Sequence, residues 1–411
     1  MSRLAKLLNE QLDMTELQKH YPTERIITGQ GVLPCVIRDG KKMLQFSGLD
    51  YLGLATDPRI EEAAIDAIRE YGVGALASRL TTGTLDIHRE LEKKLAGFMG
   101  AEDATVFTSG MMTNLGTVPA VICSSLILLC PGEKAHGART IFIDELSHAS
   151  LQDATILARW GKTKKIEYKH CDTNDLRQKV AKFGTDLNLI ITDGVFSMDG
   201  DVAPLNEIAE IARESGSVIY CDDAHGVGVL GENGRGTCEL LSVEDQVDVR
   251  MGVISKALGT MGGFIAGDAW FIKYLRHCRT QMFSMGLPAA ETAATIKAIE
   301  IAQNEPWRRQ RVLQSADYLR SNLEALGYNV LNSTSQIVPV LLGEEKFAHK
   351  VETELENREI LSPILKYPST PKGMARLRLF PTALHTKEQL DYFLNAMSDI
   401  AVSMKTESMF A

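Results

Sequence analysis

In "VISKALGTMGG", residues 253–263, one lysine, Lys256, stands between a short apolar run and a glycine-rich stretch. A lysine after a buried strand is costly to desolvate. Either its ammonium reaches solvent or it is held beside something that uses an amine. Upstream, "SVIYCDDAHGVGVLGENGRG" (217–236) closes a strand-like run with Asp222, Asp223 and His225. Capping of the next element explains one aspartate. It does not explain two aspartates and a histidine set between "DGVFSMDGD" (193–201) and Lys256. The same stretch holds G-x-G-x-x-G at Gly226, Gly228 and Gly231, so a dinucleotide site has to be weighed. That site needs a helix opening at the third glycine. Here "ENGRG" follows, which is poor helix material, so a nicotinamide oxidoreductase is disfavoured.

These residues need a frame, and short apolar runs provide one. "DATVFTSG", "RTIFID", "LNLIITDG", "SVIYCDD" and "RMGVIS" read as buried strands whose carboxyl ends carry Asp, Ser or Gly. In open α/β sheets that edge is where ligands bind. Helical stretches alternate with them. "DPRIEEAAIDAIREYG" has Asp57 as N-cap, Pro58 at the first helical position and Gly72 as stop, and "DIHRELEKKLAGFMG" is a second amphipathic helix. An α/β fold around a mainly parallel central sheet follows. From about Pro288 long helices lead into a smaller α+β region. No internal repeat or low-complexity linker appears.

The 411 residues carry a formal net charge of -9, with 45% apolar and 24% charged residues. Such a chain is soluble, of two or three lobes, and no general partner of nucleic acid. Seven dispersed cysteines without a CxxC pair argue for free thiols in a reducing compartment, against disulfides and against a zinc site, so no metal is expected. The N-terminus lacks the apolar run of a signal peptide. The longest apolar run, "VPAVICSSLILLC" (118–130), is too short to span a bilayer and reads as a buried helix or strand. The expected location is cytoplasmic.

Six ordered motifs resemble the α-oxoamine synthase family of pyridoxal-phosphate enzymes. They are "SRLTTGTLDIHRELE" (78–92), "TSGMMTNLG" (108–116), "DELSHAS" (144–150), "DGVFSMDGDVAPL" (193–205), "DDAHGVGVLGENGRG" (222–236) and "SKALGTMGG" (255–263). "TDPRI", "TGTLDIH" and "GGFIAGD" are most similar to the bacterial serine palmitoyltransferase branch, with 8-amino-7-oxononanoate synthases close by. The resemblance implies fold type I (aspartate aminotransferase-like), with an N-terminal segment 1–55, a large cofactor-binding domain 56–290 and a C-terminal domain 291–411. It implies pyridoxal 5'-phosphate as cofactor and a homodimer with shared active sites. The implied reaction is decarboxylative condensation of serine, alanine or glycine with an acyl thioester, on coenzyme A or a carrier protein, giving an α-amino ketone. The alternative is a catalytically silent subunit of such a synthase.

By the same resemblance, Lys256 is the Schiff-base lysine and proton carrier. Asp222 pairs with the ring nitrogen, His225 with the ring 3-oxygen assisted by Ser197, and His148 stacks on the ring face. Ser109, Gly110 and Met111 open a helix onto the phosphate. Ser255 and Ser284 assist there, Ser284 from a neighbouring subunit. Arg378 clamps the substrate carboxylate, and Ser78 and His88 shape the amino-acid side. The glycines after Lys256 are expected to let the ring and its phosphate approach the backbone. The chain departs from the pattern in having Leu49 for asparagine, Val253 for threonine and Met285–Gly286 for polar residues, and in a long stretch at 123–140. These departures point to a specialised pathway enzyme, not a biotin or haem housekeeping enzyme.

Overall fold

The computed structural model describes residues 2–11, 25–30, 33–123, 137–158 and 163–410. They fall into two compact units, and the chain begins and ends in the smaller. There β1 (Gly29–Gln30), β2 (Cys35–Arg38) and β3 (Lys41–Gln45) pair antiparallel. Asp39 and Gly40 link β2 to β3 with φ of 51° and 76°, the positive pair that a two-residue hairpin turn requires.

The larger unit takes residues 49–314 and 332–336. Its sheet is built from β4 (Asp103–Phe107), β5 (Arg139–Asp144), β6 (Thr163–Tyr168), β7 (Leu187–Asp193), β8 (Val218–Asp222), β9 (Val249–Val253) and β10 (Gly263–Gly267). Their order is β4-β10-β9-β8-β7-β5-β6. β10 runs antiparallel to both neighbours, and the other pairs are parallel. Strands β4, β5, β7, β8 and β9 match the five apolar runs: β5, β7, β8 and β9 are inner strands covered on both faces, which demands unbroken apolar sequence, and β4, though at an edge, is buried at all but its first residue. β6, "TKKIEY", was not anticipated: it lies at the sheet edge and alternates polar residues.

Asp57 caps the helix Pro58–Tyr71 by accepting from the Arg59 amide, and Gly72 ends it with φ of 79°. Helix Ala289–Asn304 packs on Pro58–Tyr71 and on helix Asp86–Met99. That packing carries the larger unit to residue 314, past the boundary at 290 expected from sequence.

The chain then returns to the smaller unit with β11 (Val338–Gly343), β12 (Ile360–Leu361), β13 (Ile364–Leu365) and β14 (Ala375–Leu379). β12 pairs parallel to β3, and β11, β14 and β13 form an antiparallel sheet. Phe46 is fixed at both backbone groups, donating to Leu361 and accepting from Phe380 at 2.9 and 2.8 Å. Residues 25–48 therefore belong to the same unit as the C-terminal strands instead of forming a separate N-terminal segment. Helix Gly110–Cys123 ends where the long 123–140 stretch begins, and residues 124–136 lie outside the described residues. Among the described residues no helix is long and apolar enough to cross a membrane.

Candidate active site

The carboxyl edge of the parallel strands collects four buried carboxyls: Asp144 ends β5, Asp193 ends β7, and Asp222 and Asp223 close β8. Asp222 is 4% exposed. Its Oδ2 accepts from the Asn114 amide nitrogen at 2.7 Å and its Oδ1 from the Ala224 backbone at 3.1 Å. Both donors are neutral. A buried carboxylate held only by neutral donors is stabilised further by a cationic N–H, which a protonated pyridine nitrogen supplies. Beside it in register, Asp193 accepts from the His148 amide at 3.1 Å. Burial, and then the neighbouring Asp222 carboxylate, push the Asp193 carboxyl well above its ordinary range.

His148 is exposed at the start of helix Ala149–Leu157, where its ring nitrogen accepts from the Ser150 amide. His225 is buried, its Nδ1 meeting the Tyr51 hydroxyl at 2.7 Å, while Gln336 donates to its carbonyl at 2.6 Å. Lys256 is half-buried three residues beyond β9, in a turn closed by the Gly259 amide donating to its carbonyl at 3.0 Å. Ser255 beside it is exposed and Ser197 half-buried. β4 leads into Ser109, whose hydroxyl accepts from Met112 at 3.1 Å. The amides of Gly110 and Met111 precede the first intrahelical bond of helix Gly110–Cys123, so they suit an anion. A Cβ on Gly110 would lie 2.8 Å from Val253 Cγ2. Val253, where a threonine was expected, thus packs directly under this cradle.

Several expectations change. The glycines after Lys256 make room for protein: a Cβ on Gly259 would stand 2.7 Å from the Ala55 nitrogen, and one on Gly263 2.5 Å from Thr113 Oγ1. No helix opens at Gly231. The glycine-rich turn instead wraps Asp223, to which a Cβ on Gly194, Gly226 or Gly236 would come within 2.4, 2.1 and 2.0 Å. The dinucleotide reading fails on that packing. His88 is a buried brace: its Nδ1 accepts from Leu85 at 3.0 Å and its Nε2 donates to the Leu287 carbonyl at 2.7 Å. Ser78 and Ser284 lie on adjoining segments, bridged at Ser78–Met285, with the Arg79 amide donating to the Ser284 carbonyl. Arg378 lies on β14 in the smaller unit, its guanidinium 4.8 Å from the Phe380 ring centre. Leu49 is half-buried.

Sequence reasoning missed Tyr51, Asn114, Ser150, Asp193 and Gln336, which fix the orientations of His225, Asp222 and His148. A cleft of about 600 Å³ lies at the opposite, amino-terminal edge of the sheet near Glu102, Asp248 and Trp270, away from all these residues. His170 donates to Asp144 at 3.0 Å and Asp201 at 2.8 Å. Burial opposes its charge, but the two carboxylates push its pKa up to about 12. Both its ring nitrogens thus face carboxylates.

A central sheet with a lysine, a buried aspartate and a helix-start anion cradle on one edge defines a fold type I pyridoxal-phosphate enzyme. Residues 41–397 match the aminotransferase class I and II family. A putative 8-amino-7-oxononanoate synthase of Acetivibrio thermocellus is 39% identical over 362 residues, 88% of this chain and 89% of that protein. The 8-amino-7-oxononanoate synthase of Alkaliphilus oremlandii is 41% identical over 376 residues, 90% of each. The serine palmitoyltransferase of Sphingomonas wittichii superposes with a TM-score of 0.87 at 28% identity, covering 99% of this chain and 100% of that one. A serine palmitoyltransferase of S. paucimobilis carrying PLP and myriocin gives 0.87 at 26% identity and the same coverage. The chain belongs to the aminotransferase class I and II family, as an α-oxoamine synthase: an acyltransferase with pyridoxal 5'-phosphate as its cofactor.

Proposed function

We propose that the protein condenses a small L-amino acid, serine, alanine or glycine, with an acyl thioester, releasing carbon dioxide and the thiol and yielding an α-amino ketone. The observation that carries this reading is Asp222, buried at the end of β8 with neutral donors only, on the sheet edge that also holds Lys256. Bound there, pyridoxal phosphate supplies an electron sink for the carbanion at the amino acid's α-carbon.

The chain's own groups do the rest. Asp222 holds the ring N–H. His148 covers the ring face and orients the amino acid, and Lys256 Nζ carries the proton to and from the α-carbon. His225, braced by Tyr51, and Ser197 serve the 3-oxygen. The amides at Ser109, Gly110 and Met111, with Ser255, hold the phosphate. Arg378 takes the substrate carboxylate, and Ser78 borders the amino-acid side. Ser284 acts from a second copy of the chain. Exposed Leu76, Leu80, Phe283 and Met285, close in sequence to Ser78 and Ser284, support that homodimer. The six described cysteines are free thiols, which supports a reducing, cytoplasmic setting.

The test is a visible absorbance spectrum of the purified protein, titrated with glycine, L-alanine and L-serine. A cofactor band shifting saturably with one of them names the substrate. A protein that stays colourless with added pyridoxal phosphate sinks the reading and leaves the silent subunit. High turnover of a pimeloyl thioester with alanine, or of succinyl-CoA with glycine, would refute a specialised pathway role.

A further inference from the structure

We infer that Asn114 is a positioning residue, whose side-chain amide ties Asp222 to Ser150 and through the Ser150 hydroxyl fixes His148 with Nδ1 unprotonated. Counting donors gives the direction of every bond. The Tyr220 hydroxyl donates to Asn114 Oδ1 at 2.7 Å. Tyr220 remains a phenol because burial, and then the Asp222 carboxylate, push its ionisation well above the ordinary range. That bond assigns the other end of the Asn114 amide as nitrogen. Its two hydrogens go to Asp222 Oδ2 at 2.7 Å and Ser150 Oγ at 2.8 Å. The Ser150 hydroxyl lies 2.7 Å from His148 Nδ1 and donates to it, because the Ser150 backbone amide already makes that nitrogen an acceptor. The Ser150 backbone amide donates to the same nitrogen at 3.3 Å. A ring nitrogen that accepts twice carries no proton, so the proton of neutral His148 resides on Nε2.

Asn114, Ser150, Tyr220 and Asp222 are all buried, at 0, 1, 0 and 4% exposure, so water does not replace a lost member. Asn114 sits one turn along the helix that begins at Gly110, and this helix packs on Ala149–Leu157, which starts after His148. One helix thus carries the anion cradle at its start and sets both Asp222 and His148 from its first turns. The consequence for catalysis rests on the reading of Asp222 and His148 given above. The tautomer itself does not.

The test uses the full-length protein with ¹⁵N-labelled histidine, the His148 signals being assigned with H148Q. The expected spectrum shows His148 protonated at Nε2 alone. Ser150→Ala is expected to lower the Nε2-H to Nδ1-H ratio about five-fold, the loss of one hydrogen bond, and Ser150→Thr to restore it. Asn114→Leu is expected to raise the pyridoxal phosphate dissociation constant about tenfold, by removing a donor to a buried carboxylate, with the circular dichroism of a folded chain. A native His148 protonated at Nδ1, or a ratio unmoved by Ser150→Ala, overturns the inference. A native protein that binds no pyridoxal phosphate yet shows this tautomer sinks the functional reading and leaves the hydrogen-bond assignment standing.

Discussion

Removing a single hydroxyl tests how the turn after β8 is held. Asp223 is 3% exposed and accepts from the Thr237 amide at 2.5 Å and the Thr237 hydroxyl at 2.7 Å. Burial pushes its carboxyl up to about 6, against those two bonds and with help from the Asp222 carboxylate. At pH 8 it is charged, and a hydrogen bond to a buried charge contributes about 2 kcal/mol. Thr237→Val keeps the shape and the amide but deletes the hydroxyl. About 2 kcal/mol in a unit of this size lowers the melting midpoint by about 4 °C. At pH 5 native Asp223 is already protonated, so the loss shrinks to about 1 kcal/mol. The sign follows from proton counting. Folded Asp223 holds a proton that unfolded aspartate has released, so rising pH through the interval up to about 6 costs stability. The variant extends that interval upward. Calorimetry of the cofactor-free protein at pH 5 and pH 8 reads both quantities. Equal losses at the two pH values would refute the reasoning, since the hydroxyl would then not be serving a charge.

Three further outcomes are expected. Gly110→Ala forces a Cβ to 2.8 Å from Val253 Cγ2, so a spectral titration should show pyridoxal phosphate binding weakened about tenfold, with Val253→Ala recovering most of it. Lys256→Ala should cut condensation at least about 10³-fold, as losing a group that both bonds covalently and moves protons does, and borohydride should no longer fix the cofactor to the chain. In the smaller unit, His385 Nδ1 accepts from Thr382 at 3.0 Å and its Nε2 donates to the Gln45 carbonyl at 3.1 Å. Burial pushes its pKa down to about 4, so the folded state holds the ring neutral. Stability present above pH 6.5 is then lost as pH falls toward 4, by about 3 kcal/mol. His385→Phe should flatten that limb of a melting-point profile against pH.

The strands that carry chemistry were legible because burial on both faces demands unbroken apolar sequence, and their last residues named the edge. β10 was not, since "GFIAG" begins and ends in glycines that admit Thr113 and the turn beside it. The side chains that aim the site were hidden for a different reason. Asn114 finds Asp222 across 108 positions and Tyr51 finds His225 across 174. No local periodicity records such a meeting. His88 was read toward substrate, yet its Nδ1 closes the start of its own helix on Leu85 and its Nε2 is taken by Leu287, which only the folded loop at Gly286 brings close.

Four carboxyls buried on one sheet edge would be prohibitively unstable if all were bare charges, and each is relieved differently. Asp144 has a charged imidazole in His170 and backbone donors from Leu146 and Cys171. Asp193 is driven toward its protonated form by burial and by Asp222. Asp223 takes the Thr237 amide and hydroxyl inside a turn with no room for side chains at Gly226 and Gly236. Asp222, like Asp223, has two neutral donors and no charged partner among the described residues, but no glycine turn is packed around it. The polypeptide has thus completed three of these sites from its own atoms and left the fourth best satisfied by a cation from elsewhere. A bound ring nitrogen bearing a proton meets that requirement. By the same logic Asp222→Asn, which needs no cation, should fold at least as stably as the native chain without cofactor and lose the stabilisation that pyridoxal phosphate confers. A melting point of the variant that rises with pyridoxal phosphate as steeply as the native one would refute this account of the edge.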